Sequence, residues 1–325
     1  MIAVGQPLDV VSRMTETIER PTARAVSIRS ALAPFRHGVG DPTTHLTGPG
    51  RSGVFARATL TPSGPGTIRL GWSARPDGSP DAALSIDVWG PGADWLGERA
   101  TAMAGFDDDG APHLQQARDR VVAEAAIAGR HLRVGRSDDL YHELLPTVIE
   151  QRITAREAVR QWARLCGELG EPAPGPLGLT LPPAPEVLSR QPTWWFHPLG
   201  VERRRATTLV EIARHASKLW NWADLDPAEA ERRLLLLRGI GAWTTGSVLG
   251  PALGDPDALC VGDYHAKNLV ALALRGRPRG TDDEMLESLE PYRGQRGRIL
   301  RLLLASGHRA PAFGPRQRIL PMHRW

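Results

Sequence analysis

The part of this chain richest in chemistry runs from residue 237 to residue 264 and contains a glycine turn, a tryptophan and, directly before an expected helix, an acid set apart from the acidic loop at residues 255–257. Gly239 and Gly241 flank Ile240, and glycine permits the left-handed backbone and close approach that a tight turn requires. A helix that starts after such a turn presents unpaired amides, which bind phosphate well. The turn therefore predicts an anion cradle, although an ordinary packing turn between two helices accounts for the glycines equally well.

Asp263 is this acid, and it stands where the N-cap of a helix over residues 264–274 is expected. Capping the helix is by itself a sufficient role for this residue. Helix amides also keep a carboxylate ionised, so an N-cap acid at the mouth of a cleft can stabilise a positive charge that develops on a substrate. Asp263 is therefore the candidate catalytic group, with a purely structural cap as the alternative.

The order of these residues is specific. The pattern Leu-x-Gly-Ile-Gly-x-Trp-Thr at 237–244, with Gly-Asp-Tyr placed 20 residues after Trp243, resembles the helix-hairpin-helix DNA glycosylases that carry a Gly/Pro-rich loop and an essential Asp. Within them the chain is most similar to the 3-methyladenine DNA glycosylase II branch. The resemblance covers about residues 111–305 and implies that Asp263 is catalytic and that the hairpin holds a DNA phosphate. The implied DNA-contacting residues are Gln151, Arg152, Gly239, Ile240, Gly241, Thr244, Arg293 and Arg296.

Two further motifs extend the resemblance. Gln151-Arg152 before Thr154 resembles the loop with which the family wedges open the minor groove, although many relatives place an apolar residue where this chain has Arg152. The Pro-x-Arg-Gly-x-Arg pattern at residues 291–296 resembles a motif near DNA. It makes Arg293 and Arg296 candidate phosphate contacts, with solvated surface as the alternative.

An extruded base needs aromatic faces around it. The candidates for the base pocket are Trp243, Trp195 and Tyr264, and the run at residues 192–197 also offers Trp194 and His197. Tryptophans in a helical domain are usually core residues, and that alternative stays open for this run. His265 is a weaker candidate, since it could equally be a surface residue.

The resemblance implies a hydrolase that removes flipped-out alkylated purines, of the 3-methyladenine and 7-methylguanine type, from double-stranded DNA. Family members that also cut the strand use a lysine at the position of Trp243, and neither Lys218 nor Lys267 matches it. We therefore expect a monofunctional glycosylase without lyase activity. Ser247, where the branch often has an aromatic residue, leaves room for a deaminated or oxidised purine as substrate. A non-catalytic helix-hairpin-helix DNA-binding protein is the alternative from another class.

No cofactor is expected. The two cysteines, Cys166 and Cys260, and the ten histidines show no metal-ligand spacing. The backbone carbonyls of Arg238 and Ile240 could nevertheless coordinate a monovalent cation in the hairpin. The acidic run at residues 107–109 is expected to be a solvated loop, with a cation site as the alternative.

Composition, charge distribution and the pattern of apolar residues indicate the compartment and the fold class. The 325-residue chain has a net charge of +4, and residues 275–325 carry 11 Arg against 5 Asp plus Glu, which suits a phosphate-facing surface. It lacks a long apolar run and a signal-peptide pattern, so a monomeric bacterial cytoplasmic protein is expected. The fold class is α+β: a flexible leader at 1–24, a small antiparallel β-rich domain at 25–110, a helical glycosylase domain at 111–310 and a tail at 311–325.

Overall fold

The structure is a computed structural model that describes residues 14–18, 26–48, 51–74 and 82–311. It is mostly helical, with a small antiparallel sheet near the N-terminus, which confirms the α+β fold class. Within the described ranges, no helix is both long and apolar enough to cross a membrane. The predicted turn at residues 75–78 and almost all of the predicted tail lie outside the described residues.

The sheet contains five strands in the order β1-β5-β4-β3-β2, and every neighbouring pair is antiparallel. Thr61 pairs with Gly64, so Pro62 and Ser63 form a two-residue hairpin turn between β3 and β4, in the stretch predicted to contain a turn. The strands are β1 (Met14–Ile18), β2 (Thr44–Thr47), β3 (Gly53–Thr61), β4 (Gly64–Ala74) and β5 (Ala82–Trp89).

Two features of the N-terminal region differ from the sequence expectation. Met14–Ile18, which fell within the expected flexible leader, is strand β1 and pairs with β5. The region expected to be purely β also contains helix α1 (Ile28–Leu32) and a 3-10 turn, Ala33–Phe35. Ile28, Leu32 and Phe35 are buried against the sheet, and their four- and three-residue spacing is a helical signal that the β interpretation overlooked.

The remaining helices form the larger part of the molecule. They are α2 (Ala93–Met103), α3 (Arg120–Ala128), α4 (Leu140–Glu150), α5 (Ala155–Leu169), α6 (Pro185–Leu188), α7 (Arg203–Arg214), α8 (Ala216–Trp222), α9 (Pro227–Leu234), α10 (Ala242–Leu253), α11 (Tyr264–Arg275), α12 (Asp282–Leu289) and α13 (Arg296–Ala305). Thr154 as a cap predicts a helix at 155–169, and Thr281-Asp-Asp-Glu284 predicts another with acidic residues in its first turn. Both are confirmed, as is the helix from 264 onward. The structure adds a capping box between Thr281 and Glu284.

The sequence pattern also predicts helices at 115–128, at 138–150 with Ser137 or Asp138 as cap, and at 203–218, and a boundary of each is wrong. The helix expected at 203–218 breaks at His215, whose ring bonds back to the carbonyl of Glu211. The helix expected at 115–128 begins only at Arg120, because a 3-10 turn (Pro112–Gln116) precedes it. Asp139, rather than Ser137 or Asp138, caps α4 by accepting the amide of His142.

The described core consists of three apolar clusters. One joins the sheet to α1 and α2. A second joins α4, α5, α7, α8, α9 and α10, and a third joins α3, α11, α12 and α13. Helices α10 and α11 are consecutive in the chain but belong to different clusters, so the loop between them crosses from one helical half to the other. Asp263 is at the end of that crossing.

Candidate active site

Asp263 is held at the N-terminus of α11 by the backbone of its own helix. Its Oδ1 atom accepts hydrogen bonds from the amides of His265 and Ala266, both at 2.8 Å. The predicted cap is therefore present, and these two amides fix the orientation of the carboxylate at the start of the helix. Oδ2 takes no part in capping and is the oxygen directed toward the neighbouring helix.

Trp243 lies on that neighbouring helix, in the first turn of α10. Its indole N–H donates to Oδ2 of Asp263 over 3.4 Å, a long hydrogen bond between the two helical halves. Trp243 is half-buried and Asp263 is partly exposed. The structure thus brings together the two residues on which the sequence interpretation depended most, with one carboxylate oxygen still able to receive another partner.

The glycine turn stands just before α10. Gly239 has a φ of +89°, and a Cβ there would lie 1.9 Å from Oγ1 of Thr208, so both backbone and space require glycine. Gly241 is extended, and a Cβ there would meet nothing within 4 Å. The amides of Ala242 and Trp243, in the first turn of α10, have no carbonyl partner within the helix. The open amides that the predicted anion cradle requires are therefore present, and phosphate binding there stays a prediction.

The hairpin also has two free acceptors. The carbonyls of Arg238 and Ile240 accept no hydrogen bond from any described residue. Free carbonyls are what coordination of a monovalent cation requires. The cation hypothesis stays a prediction, now with its ligands available.

Gln151 and Arg152 lie between α4 and α5, next to the hairpin. The side-chain amide of Gln151 donates to the carbonyl of Gly239 over 3.1 Å and to Oγ1 of Thr244 over 3.0 Å. Arg152 is exposed and has a φ of +62°, a backbone conformation that is uncommon for any residue other than glycine and is often found in functional loops. Gln151 therefore fixes the loop to the hairpin, while Arg152 projects from its tip.

Asp282, which the sequence did not single out, anchors the loop that leads into Asp263. It accepts the amide of Gly262 over 2.9 Å and the ammonium of Lys267 over 3.0 Å. These bonds hold the loop before Asp263 in place, and the φ of +92° at Gly262 sets its direction. The amine of Lys267 is thus committed to an ion pair. The nearest signal in the sequence was the capping box of α12, which explains the residues beside Asp282 but not Asp282 itself.

The other aromatic candidates are placed less directly. Trp195 packs on the helical core and against the edge of Phe196, with ring centroids 5.2 Å apart. Tyr264 is 41% exposed and meets the ring of His265 edge-on. In the described part of the chain neither makes a ring contact or hydrogen bond with Trp243, so their pocket roles stay predictions. Trp194 and His197 are exposed.

The two arginines predicted to meet phosphate are bound to acids in the structure. Arg296 forms a two-pronged ion pair with Asp257, whose Oδ1 also accepts the amides of Gly294 and Arg296 itself. Arg293, which is exposed, pairs with Glu290. Asp257 therefore occupies the start of α13, and Arg296 positions this loop rather than offering a free charge. Arg293 keeps its charge at the surface in a pair that water screens.

The acidic run at residues 107–109 is a loop in which Asp107 and Asp109 are exposed, as expected, but Asp108 is held in an ion pair. Asp108 makes two hydrogen bonds with the buried Arg298, at 2.6 and 2.8 Å, and accepts the amide of Val134. Burial opposes the charge, but Arg298 and these bonds hold the pKa of Asp108 below its usual value. Among the described residues, no group of three or more His, Cys, Asp or Glu is arranged to hold a metal.

Ser247 and Cys260 lie behind Trp243. Ser247 donates to the carbonyl of Trp243 over 2.7 Å, and its hydroxyl is 3.3 Å from the sulfur of Cys260. Burial raises the pKa of the Cys260 thiol, so it is neutral and unreactive at neutral pH. The position where the family often has an aromatic residue is thus occupied by a small polar pair.

The described architecture defines the fold. A carboxylate at a helix start, facing a glycine hairpin across the seam between two helical halves, is combined with an N-terminal antiparallel sheet. The chain has the fold of the helix-hairpin-helix DNA glycosylases, and the resemblance predicted from the motifs is confirmed.

Comparison with known proteins supports that assignment. The fold is similar to a 3-methyladenine DNA glycosylase from Archaeoglobus fulgidus, with a TM-score of 0.71 and 18% identity over 89% of this chain and 97% of that one. It is also similar to an 8-oxoguanine glycosylase/lyase from Clostridium acetobutylicum in its apo form, with a TM-score of 0.65 and 11% identity over 91% of this chain and 98% of that one.

A sequence relative is a probable bifunctional transcriptional activator/DNA repair enzyme AlkA from Mycobacterium tuberculosis, 27% identical over 80% of this chain. The chain spans about half, 53%, of the length of that relative. No family model matches the chain.

Proposed function

We propose that this chain is a monofunctional DNA glycosylase that hydrolyses the N-glycosidic bond of alkylated purines, of the 3-methyladenine and 7-methylguanine type, in double-stranded DNA. The observation that carries the proposal is the carboxylate of Asp263, which is held by the amides of α11 and the indole of Trp243 beside an open glycine hairpin. Such an enzyme would leave an abasic site. We expect it to act as a monomer on DNA in the bacterial cytoplasm, with residues 111–310 as the glycosylase unit, and without a cofactor.

Asp263 would act on the sugar. As the bond to the base breaks, positive charge develops on the deoxyribose, and a fixed carboxylate stabilises it without having to reorganise. Because Oδ1 is committed to two amides, Oδ2 is the oxygen available to the sugar or to the attacking water. A purine alkylated at N3 or N7 already carries a positive charge and leaves without a general acid. One carboxylate therefore suffices.

The surrounding residues suit base extrusion. A base cannot be cut from its sugar inside a duplex, so the nucleotide must leave the stack. The amides before α10 would hold a phosphate, Arg152 would fill the vacated space, and the face of Trp243 would receive the cationic base, a contact of about 1–2 kcal/mol when desolvated. The hydrogen bonds of Gln151 to the hairpin would fix the position of the wedge loop relative to the phosphate-binding amides.

The absence of lyase activity is supported by the position of two side chains. Strand cleavage in the family requires an amine where this chain has Trp243, and the indole there already bonds to Asp263. The nearby amine, that of Lys267, is paired with Asp282 over 3.0 Å. Borohydride should therefore trap no covalent complex between the protein and DNA that contains an alkylated base. Efficient trapping would contradict the monofunctional assignment.

The decisive experiment measures base release from methylated duplex DNA, with 3-methyladenine and 7-methylguanine quantified separately. Asp263→Asn should lower the single-turnover rate at least about 100-fold, since a fixed charge in the transition state is removed. Asparagine caps helices about as well as aspartate, so the variant should fold and bind DNA like the wild type.

Asp226→Asn is the matched control. Asp226 also caps a helix, α9, through the amide of Ala228, but it is exposed and lies outside the site. This variant should release base at the wild-type rate. No release by the wild type, with DNA binding intact, would favour a non-catalytic DNA-binding protein. Release of only deaminated or oxidised purines would keep the reaction and correct the substrate.

A further inference from the structure

A groove of about 750 Å³ adjoins the glycine hairpin, and no residue of α11 lines it. Its wall comes from the start of α7, the hairpin and the segment before α7. The lining residues are Thr193, Arg203, Arg204, Thr207, Thr208, Arg238 and Gly239. Three of these are arginines, and none is an acid. Because Gly239 belongs to both the hairpin and the groove, the two form one continuous surface.

The guanidinium groups of these three arginines are not paired within the described part of the chain. Arg203, Arg204 and Arg238 are exposed, and none of their side chains forms a hydrogen bond or ion pair with any described residue. Elsewhere in the described chain arginines are commonly paired, as Arg232 and Arg233 are with Glu229 on the neighbouring α9. A cluster of unpaired cations around a concave surface attracts anions.

The position of two of them strengthens this point. Arg203 and Arg204 are in the first turn of α7, where the helix presents its positive end; the acid beside them, the N-cap residue Glu202, pairs with Arg205 over 3.8 Å. Cations at this end of a helix are unfavourable by a few tenths of a kcal/mol to about 1 kcal/mol each. An anion in the groove would relieve both the repulsion between the arginines and their conflict with the helix dipole.

We propose that this groove binds the phosphodiester backbone of DNA beyond the phosphate held by the hairpin, so that Arg203, Arg204 and Arg238 extend the DNA footprint along the flank. The inference rests on the proposed function for its choice of DNA as the anion. Guanidinium groups suit this ligand because they bind phosphate oxygens in a planar, two-pronged way. A free phosphate ion shares that chemistry, but it would not use a surface that runs on from the hairpin.

Trp194 is an exposed aromatic residue next to the groove in the chain. It follows the lining residue Thr193, and its side chain is 74% exposed. An exposed tryptophan next to an arginine groove matches the combination of flat apolar face and positive charge by which proteins follow a nucleic-acid strand. Trp194 would pack on the sugars of the flanking nucleotides.

The test measures affinity for a short undamaged duplex at several salt concentrations, which makes it independent of catalysis. The double variant Arg203→Gln, Arg204→Gln should reduce the slope of log Kd against log salt by about 2, roughly 1 for each phosphate that is no longer neutralised. Trp194→Ala should weaken binding several-fold and leave the slope unchanged, since its contact is not ionic. Arg214→Gln is the matched control, because Arg214 is exposed at the opposite end of α7.

A slope that falls equally in the Arg214 control and in the double variant would overturn the proposal, since only overall charge would then matter. An unchanged slope in the double variant would overturn it too. As a second arm, inorganic phosphate alone should raise the melting temperature of wild type and double variant equally; a rise confined to the wild type would assign the groove to free phosphate. If the double variant has a reduced slope but the wild type releases no base, the groove is a DNA-binding surface and the proposed glycosylase activity is wrong.

Discussion

Two polar regions of this molecule use charge in opposite ways. Around Asp263 and the glycine hairpin, several polar groups remain available to a ligand. They are Oδ2 of Asp263, the amides in the first turn of α10 and the arginines of the groove. Between the sheet and α4, by contrast, Arg57 of β3 is buried 2.7 Å from Glu143, and His37 lies 3.2 Å from Glu150. The buried charges pair with one another and hold the sheet against α4, whereas the exposed polar groups are available to a ligand.

This contrast shows where function resides. Buried charges are costly and are tolerated only when their partners are within the protein, so such a network contributes to fold integrity and cannot easily also bind substrate. Charges at the seam between the helical halves cost little when unpaired, because water solvates them. A ligand that replaces this water gains the full set of contacts. Substitutions in the buried network should therefore change stability, and substitutions at the seam should change activity or binding.

The largest expected effect on stability is in the buried network. Glu143→Gln leaves Arg57 and His37 without their shared counter-charge and should lower the free energy of unfolding by about 3–5 kcal/mol. Denaturant unfolding measures it. Glu124→Gln, which removes an exposed ion pair on α3, should leave stability unchanged. Equal losses in the two variants would remove the distinction between the regions.

The next effect is a pH dependence of stability. Burial opposes the charged form of His37, but Glu143 and Glu150 outweigh it and raise its pKa from 6.5 to about 9. A raised pKa in the folded state means that the stabilisation is complete below pH 6.5 and is lost as the pH rises through 9. Relative to His37→Gln, the wild type should therefore lose about 3 kcal/mol between these limits.

Denaturant unfolding of both proteins at pH 6 and pH 9.5 tests this dependence. Asp139 also contributes to the pH dependence of stability, but at lower pH, because burial raises its pKa to about 6. Its stabilising contribution is complete below the ordinary value of 3.8 and is lost as the pH rises through 6. It is shared by both proteins and cancels in their difference. A difference that stays constant with pH would contradict the assignment to His37.

A smaller effect separates the two glycines of the hairpin. Gly239→Ala should cost about 2 kcal/mol, because alanine disfavours a φ of +89° and its methyl group would overlap Thr208. Gly241→Ala should leave thermal stability unchanged, since the backbone there is extended and the space is open. Equal destabilisation in the two variants would show that the turn differs from the one described.

The smallest effect concerns the link between wedge and hairpin. Gln151→Ala removes hydrogen bonds to the carbonyl of Gly239 and the hydroxyl of Thr244, and should cost about 1 kcal/mol of stability. Its effect on DNA affinity should exceed that of Arg156→Ala, at an exposed position on α5. An equal effect of the two variants on affinity would leave Gln151 with a structural role alone.

The sequence was informative where chemistry is local. Glycines on either side of Ile240 and the acid before Tyr264 predicted a hairpin and a cap, because backbone geometry at these positions depends on the residue itself. The ion pair of Arg296 was not predicted, for the opposite reason. Its partner, Asp257, is 39 residues away in the chain, and no local sequence pattern indicates such a pair.

The same limit explains Asp282 and the groove. Asp282 reads as an ordinary first-turn acid of α12, and only the folded chain brings it to Gly262. The arginines of the groove come from α7 and the hairpin, and helices α8 and α9 separate these two in the chain. Helix α1 was missed because its short apolar spacing lay inside a stretch that otherwise alternates like strands.

The measurement that tests the central claim most directly is a paired one: single-turnover base release and unfolding free energy, both determined for Asp263→Asn and Glu143→Gln. At a temperature where both variants are folded, Asp263→Asn should lose base release with its stability retained. Glu143→Gln should lose stability with its release rate close to that of the wild type. If Asp263→Asn instead destabilises the protein and still releases base, Asp263 is a helix cap only, and the active site lies elsewhere.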